Sequence, residues 1–227
     1  MNPNQIIEYG LYLLTGYFIG SINFAVLVAK SNGIDILEEG SGNPGATNVK
    51  RVLGKAAGNL VFALDVFKGA FGTFLPFFLI WGLNTHWDGS VEEFKKAFQD
   101  ADTIFITSFI ATIVGHCYSI FLGFRGGKGV ASTIGGLIII LPWPILIGLI
   151  VWVIAFYSTK YVSVASILLG ISLPVSCLIL RSLDVELISR SEIIFAAALG
   201  VFNIWTHRAN IERLRKGTES RFGSSRK

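Results

Sequence analysis

Apolar residues in this chain come in long blocks, at 6–28, 60–83, 103–122, 135–157, 162–180 and 193–206, separated by short polar stretches. Within the blocks neither the 3.6-residue nor the 2-residue alternation of a half-buried soluble element is visible. Blocks of about 20 apolar residues are long enough to cross the hydrocarbon of a bilayer. Backbone amides in lipid must bond within their own segment, so the blocks predict helices. The expected fold is all-α and polytopic.

The polar stretches orient the helices. Of 19 Lys and Arg, 14 fall in four segments: 30–58, 123–134, the neighbourhood of Lys160, and the tail from His207. The stretch 84–102, "NTHWDGSVEEFKKAFQDAD", instead carries five carboxylates against two lysines. The positive-inside rule puts the basic segments in the cytoplasm and the acidic one outside, which leaves the N-terminus outside. Six crossings would then return the strongly basic tail to the outer face. The stretch "IIILPWPILIG" resolves this parity: Pro142 and Pro144 remove backbone donors and disfavour helix just before them. Division there predicts helices at 130–141 and 144–157, seven segments in all, and a cytoplasmic C-terminus.

Composition supports this reading. Hydrophobic residues make up 52% and charged ones only 15%, with a mean hydropathy of +0.61, so no sizeable soluble domain is expected and 1–227 is read as one membrane domain. The first block is too long, and lacks the basic flank, for a cleaved signal peptide. Cys117 and Cys177 both lie in apolar blocks and read as small buried hydrophobes, too few for a four-ligand metal site.

Three loops of the cytoplasmic face carry the chemistry. The first, at 40–51, is "GSGNPGATNVKR"; the second, at 115–133, is "GHCYSIFLGFRGGKGVAST"; the third, at 207–219, is "HRANIERLRKGTE". Glycine allows φ > 0 and close backbone approach, consecutive N–H groups make an anion-binding concavity, and Arg or Lys completes it. The first two loops therefore read as phosphate cradles, and the three together predict one positively charged hollow.

"GSGNPG" matches G-x-G-x-x-G, but no βαβ unit surrounds it, and Asp65 lies in an apolar block. "GGKG" lacks the Walker spacing, since Leu122 and Gly129 stand where Gly and Ser or Thr are needed. Among the histidines, His86 reads as a solvated side chain, His116 as a structural one, and His207 as a general base or phosphate donor with Asn210 on the same helical face. Asp65 and Lys68, three apart in one block, read as a self-satisfied pair. No nearby pair of acids on the cytoplasmic face resembles a two-metal site, no His/Cys cluster has ligand spacing and no G-x-S-x-G elbow is present, so no metal is expected.

The three loops resemble the motifs of the bacterial membrane glycerol-3-phosphate acyltransferases that use acyl-phosphate as donor. "GSINFAVLVAK" and "KYVSVAS" are similar as well, and the likeness covers almost the whole chain, although the 84–102 loop is longer than the family leads one to expect. The resemblance implies a seven-helix bundle in the bacterial plasma membrane. It also implies transfer of a fatty acyl group to the 1-hydroxyl of glycerol 3-phosphate, yielding lysophosphatidic acid and phosphate in phospholipid biosynthesis. The implied catalytic residues are Ser41, Arg51, Lys128, His207 and Asn210. Gly42, Asn43, Gly45, Thr47, Asn48, Gly126, Gly127, Gly129 and Ser166 would hold phosphate or orient the glycerol phosphate. Ser41 is a binding residue here, because the family forms no acyl-enzyme. No cofactor and no nucleic acid is implied. The implied partners are the two substrates, membrane lipids and the soluble enzyme that makes acyl-phosphate.

No histidine is followed by the H-x-x-x-x-D pattern of another acyltransferase superfamily: Glu212 stands at that place after His207. The alternative class is a transporter for phosphate or an organic phosphate, which shares the need for anion-binding loops and broken helices. Loops gathered on one face, no visible internal repeat and no polar path through the spans count against it.

Overall fold

A computed structural model describes residues 3–84, 90–99, 101–184 and 188–222. The chain forms two compact units, Met1–Ile140 and Leu141–Lys227. Every regular element among the described residues is helical.

The first unit contains α1 (Pro3–Ser21), α2 (Phe24–Ser31), α3 (Ala46–Leu53), α4 (Lys55–Asn84), α5 (Val91–Gln99), α6 (Asp102–Cys117) and α7 (Val130–Ile140). α1 packs along α6, and α4 along α7, through glycines where a Cβ would strike the facing backbone. Gly20 lies against Thr112 and Gly115 against Tyr17; Gly69 lies against Ser132 and Gly135 against Val66. Apolar side chains gain little from leaving lipid for a helix interface, so close backbone approach is what holds such pairs.

The second unit contains α8 (Pro142–Thr159), α9 (Val162–Ser182), α10 (Arg190–Thr206) and α11 (Arg208–Arg215). α9 packs between α8 and α10, with Gly170 seated against Asn203. Ser189 and Glu192 close a reciprocal capping box at the start of α10.

Among the described residues, four helical stretches are long and apolar enough to cross a membrane: Ile7–Ser31, Lys55–Leu79, Pro142–Thr159 and Val162–Ser182. α5 and α6, bent by 60° at their junction, make a fifth if counted as one span. The division expected near Pro142 is present, with α7 ending at Ile140 and Pro142 opening α8, where its missing N–H costs nothing.

Two blocks differ from expectation. The first is broken at Ile22 and Asn23, because Asn23 caps α2 by accepting the Val26 N–H at 3.0 Å, and the Ile22 carbonyl accepts from Lys68 Nζ at 2.7 Å instead of from a helical amide. The third block ends as helix at Cys117. Ser119 there pairs antiparallel with Arg125, and left-handed Gly123 and Phe124 close the turn, leaving Ile120, Phe121 and Phe124 exposed. Within the acidic stretch, α5 packs Phe94 and Phe98 onto Phe77 and Phe105. His86 lies outside the described residues.

Candidate active site

The first loop is folded around Asn48. Its Oδ1 accepts the Ser41 N–H at 2.9 Å and the Arg51 Nη1 at 3.3 Å. Its Nδ2 donates to the carbonyls of Glu39 at 2.9 Å and Ile36 at 3.3 Å. The residue is buried, and its amide is engaged within the loop. Asn48, expected among the phosphate-binding residues, has both amide atoms bonded within the first loop, including to Ser41 and Arg51.

Gly40 and Gly42 have φ of +63° and +67°, and a Cβ on Gly40 would strike Asn48 Oδ1, so the turn excludes larger residues. Gly45 caps α3 in extended conformation, and the helix then presents the N–H groups of its first turn. Thr47 and Arg51, one turn apart on α3, are exposed, as is Ser41; Asn43 is half-buried.

The second loop rests on the end of α6. Gly127 N–H donates to the His116 carbonyl at 3.1 Å, and Ser119 Oγ donates to the Ser21 carbonyl at 2.7 Å. A Cβ on Gly126 would meet the His116 carbonyl, and one on Gly127 the His116 ring. Gly129, at φ +81°, leads into α7, which leaves Lys128 half-buried just before a helix N-terminus. Both features favour an anion.

These two loops are joined through the break between α1 and α2. Asn23 Nδ2 donates to the Pro44 carbonyl of the first loop at 3.4 Å. Its neighbour Ile22 accepts from Lys68, whose Nζ also lies 2.9 Å from His116 Nδ1 and 3.1 Å from Asp65 Oδ1. The expected Asp65 and Lys68 pair is therefore formed, and it reaches further than its own helix.

In the second unit, His207 ends α10 and opens α11. Its Nδ1 lies 2.8 Å from the Asn203 carbonyl, so Nδ1 carries the hydrogen and in the neutral ring Nε2 carries the lone pair. Asn210 is buried; its Nδ2 donates to Glu219 Oε1 at 2.7 Å, and its Oδ1 has no hydrogen-bond partner among the described residues. Ser163 Oγ donates to the same Glu219 oxygen at 2.8 Å, and Arg213 Nε to Oε2 at 2.7 Å.

Burial alone would raise the Glu219 carboxyl, but the hydrogen bonds from Asn210, Ser163 and Arg213, with the Arg213 charge, outweigh it and hold the group below its ordinary value. Ser166, one turn beyond Ser163, is buried and accepts from Trp152 Nε1 at 3.2 Å. Glu219 lies outside the site residues that the sequence singles out. Its only signal was a carboxylate at the end of a strongly basic motif.

The glycerol-3-phosphate acyltransferase family profile matches residues 10–217. The chain belongs to the glycerol-3-phosphate acyltransferase family. Relatives in this family include the glycerol-3-phosphate acyltransferase of Thermosipho melanesiensis, 39% identical over 212 residues, which covers 93% of this chain and 92% of the relative. That of Aquifex aeolicus is 36% identical over 210 residues, covering 92% and 97%. Crystal structures of PlsY (YgiH), an integral membrane glycerol 3-phosphate acyltransferase, in its glycerol 3-phosphate form superpose with a TM-score of 0.76 at 36% identity, covering 95% of this chain and 96% of that one. The lysophosphatidic acid form gives 0.74, with 95% of each chain covered. The apolar helices and this likeness make the chain an all-helical membrane protein of the acyltransferase family.

Proposed function

We propose that the protein transfers a fatty acyl group from acyl-phosphate to the 1-hydroxyl of glycerol 3-phosphate, as the entry step of phospholipid synthesis. The observation that carries this reading is the pair of glycine-built, cation-bearing loops joined at one end of the first unit. Donor and acceptor each bring a phosphate, so a catalyst for this reaction needs two phosphate seats. The related PlsY was crystallised in glycerol 3-phosphate and lysophosphatidic acid forms, which fit an acceptor and a product of this kind.

In this reading the glycerol hydroxyl attacks the acyl carbon, the bond from that carbon to the phosphate oxygen breaks, and phosphate leaves carrying the electron pair. The donor is already activated, so catalysis is mostly positioning and charge stabilisation. Arg51 and Lys128 balance phosphate charge, helped by Ser41, Asn43, Thr47 and the backbone N–H groups around Gly42, Gly45, Gly126, Gly127 and Gly129. Asn48 acts through Ser41 and Arg51. Asn210 Oδ1 is a buried acceptor ready for a hydroxyl hydrogen. Ser166 supports the same substrate. The hydroxyl proton passes to His207 Nε2 or to a substrate phosphate oxygen.

The seven crossings (α1 with α2, α4, α6, α7, α8, α9 and α10) would place the three motif loops in the cytoplasm, where a soluble enzyme supplies acyl-phosphate to the plasma membrane. The clustering of cations in the loops supports this orientation. The test is phosphate release by the purified protein from acyl-phosphate, with and without glycerol 3-phosphate. Release that requires glycerol 3-phosphate and yields lysophosphatidic acid is expected. Turnover with acyl-CoA and none with acyl-phosphate would overturn the proposal.

A further inference from the structure

The sequence reads His116 as a structural histidine, and its surroundings tie it to the glycine turn of the second loop. Asp65, Lys68 and His116 are all buried. Lys68 Nζ lies 3.1 Å from Asp65 Oδ1, donates to the Ile22 carbonyl at 2.7 Å, and sits 2.9 Å from His116 Nδ1. An ammonium has donors only, so Nδ1 is the acceptor in that contact and the ring hydrogen resides on Nε2. Ser132 Oγ, 3.3 Å from the same Nδ1, adds a contact from the first turn of α7. The ring is thus held in one orientation from below.

Its other edge carries the consequence. Nε2, Cε1 and Cδ2 are the atoms that a Cβ on Gly127 would meet, so the imidazole fills the place of the missing side chain. The His116 carbonyl meanwhile accepts the Gly127 N–H at 3.1 Å, and that carbonyl with the Cys117 backbone confines Gly126. Side chain and main chain of one residue therefore mould two successive glycines, and Lys128 follows them directly.

We propose that His116 is a positioning residue, held by the buried Asp65 and Lys68 pair, that shapes the 126–128 turn so that Lys128 meets a substrate phosphate. This rests on the acyltransferase reading and adds to it. The same lysine fixes the Ile22 carbonyl beside Asn23, which holds Pro44 of the first loop, so one buried cation registers both anion-binding loops.

The steric relation supplies the test. Four purified forms are compared: wild type, His116→Ala, Gly127→Ala and the double variant. KM and kcat are measured for acyl-phosphate and glycerol 3-phosphate, and hydrogen exchange is followed over 118–129. Each single variant should raise KM for one of the two substrates by about tenfold or more while kcat falls less than about threefold, as expected when binding geometry is lost. In the double variant the methyl occupies space vacated by the ring, so its KM should fall back to within about threefold of wild type. Exchange at 118–129 should quicken in the singles and recover in the double, with α9 unchanged.

Multiplicative losses in the double variant, or His116→Ala with KM and exchange both near wild type, would overturn the inference. A wild type that makes no lysophosphatidic acid, together with the same pattern of exchange, would overturn the acyltransferase reading and leave the steric moulding standing.

Discussion

Glu219 Oε1 accepts a hydrogen bond from Asn210 Nδ2 at 2.7 Å. That contact decides which way the Asn210 amide faces. The carboxylate offers only acceptors, so the NH2 must point at it, and Oδ1 is left as an acceptor with no partner among the described residues. A residue outside the expected set thereby determines which amide atom of an expected one stays open for a further hydrogen bond.

Asn210→Asp should cost at least about 100-fold in kcat/KM, because a second carboxylate would oppose Glu219 where the amide donates. Glu219→Ala leaves the Asn210 and Ser163 donors without their acceptor, for an expected loss of about 2–3 kcal/mol of stability. Unfolding in detergent reads the second effect, and initial rates read the first. A Glu219→Ala protein as stable as wild type would show the tail to be held by other contacts.

The depressed Glu219 carboxyl sets the sign of a pH effect. A group whose folded value lies below its unfolded one stabilises the fold above the unfolded value, and the contribution fades as pH falls through the folded value. The tail should therefore stay docked from neutral pH down through the ordinary carboxylate range near about 4 and loosen only below it. Cleavage at Arg213 or Arg215 by an acid-tolerant protease, measured against pH, checks this. Loosening between pH 7 and 5 would contradict it.

Arg51→Ala and Lys128→Ala should each reduce activity by at least about tenfold, and up to about 150-fold, while the protein still inserts, since a lost charge-assisted contact costs about 1.5–3 kcal/mol even in mild cases. Asn48→Ala should act through a different channel. It unties the Ser41 N–H and Arg51 together, so Arg51→Ala should cost far less in an Asn48→Ala background than alone. Independent, additive losses would show that Asn48 does not position Arg51.

Gly135→Ala would drive a methyl into the Val66 carbonyl at the α4 and α7 interface. Destabilisation of about 1–3 kcal/mol is expected, the usual cost of overpacking. Gly10→Ala, on α1 with open space around its Cβ position, should stay within about 0.5 kcal/mol of wild type. The difference between the two unfolding midpoints measures how much the close helix contacts matter.

Hydropathy and turn chemistry are local properties, and the features that depend on them are legible in the sequence. The apolar blocks became helices, Pro142 divided the fourth block, and glycine-rich runs became turns with left-handed residues. The glycine-rich loops and most candidate residues could be named because glycine, cation and hydroxyl identities carry their chemistry with them. What tertiary structure alone decided are partnerships across long sequence separations. Lys68 meets His116 over 48 residues, and Glu219 meets Ser163 over 56. Such pairs depend on how whole helices pack, which no local pattern encodes. The break at Ile22 and Asn23 belongs with them. The block around it is apolar enough to continue a helix, but Asn23 caps α2 and a buried cation on α4 holds the Ile22 carbonyl that marks the break.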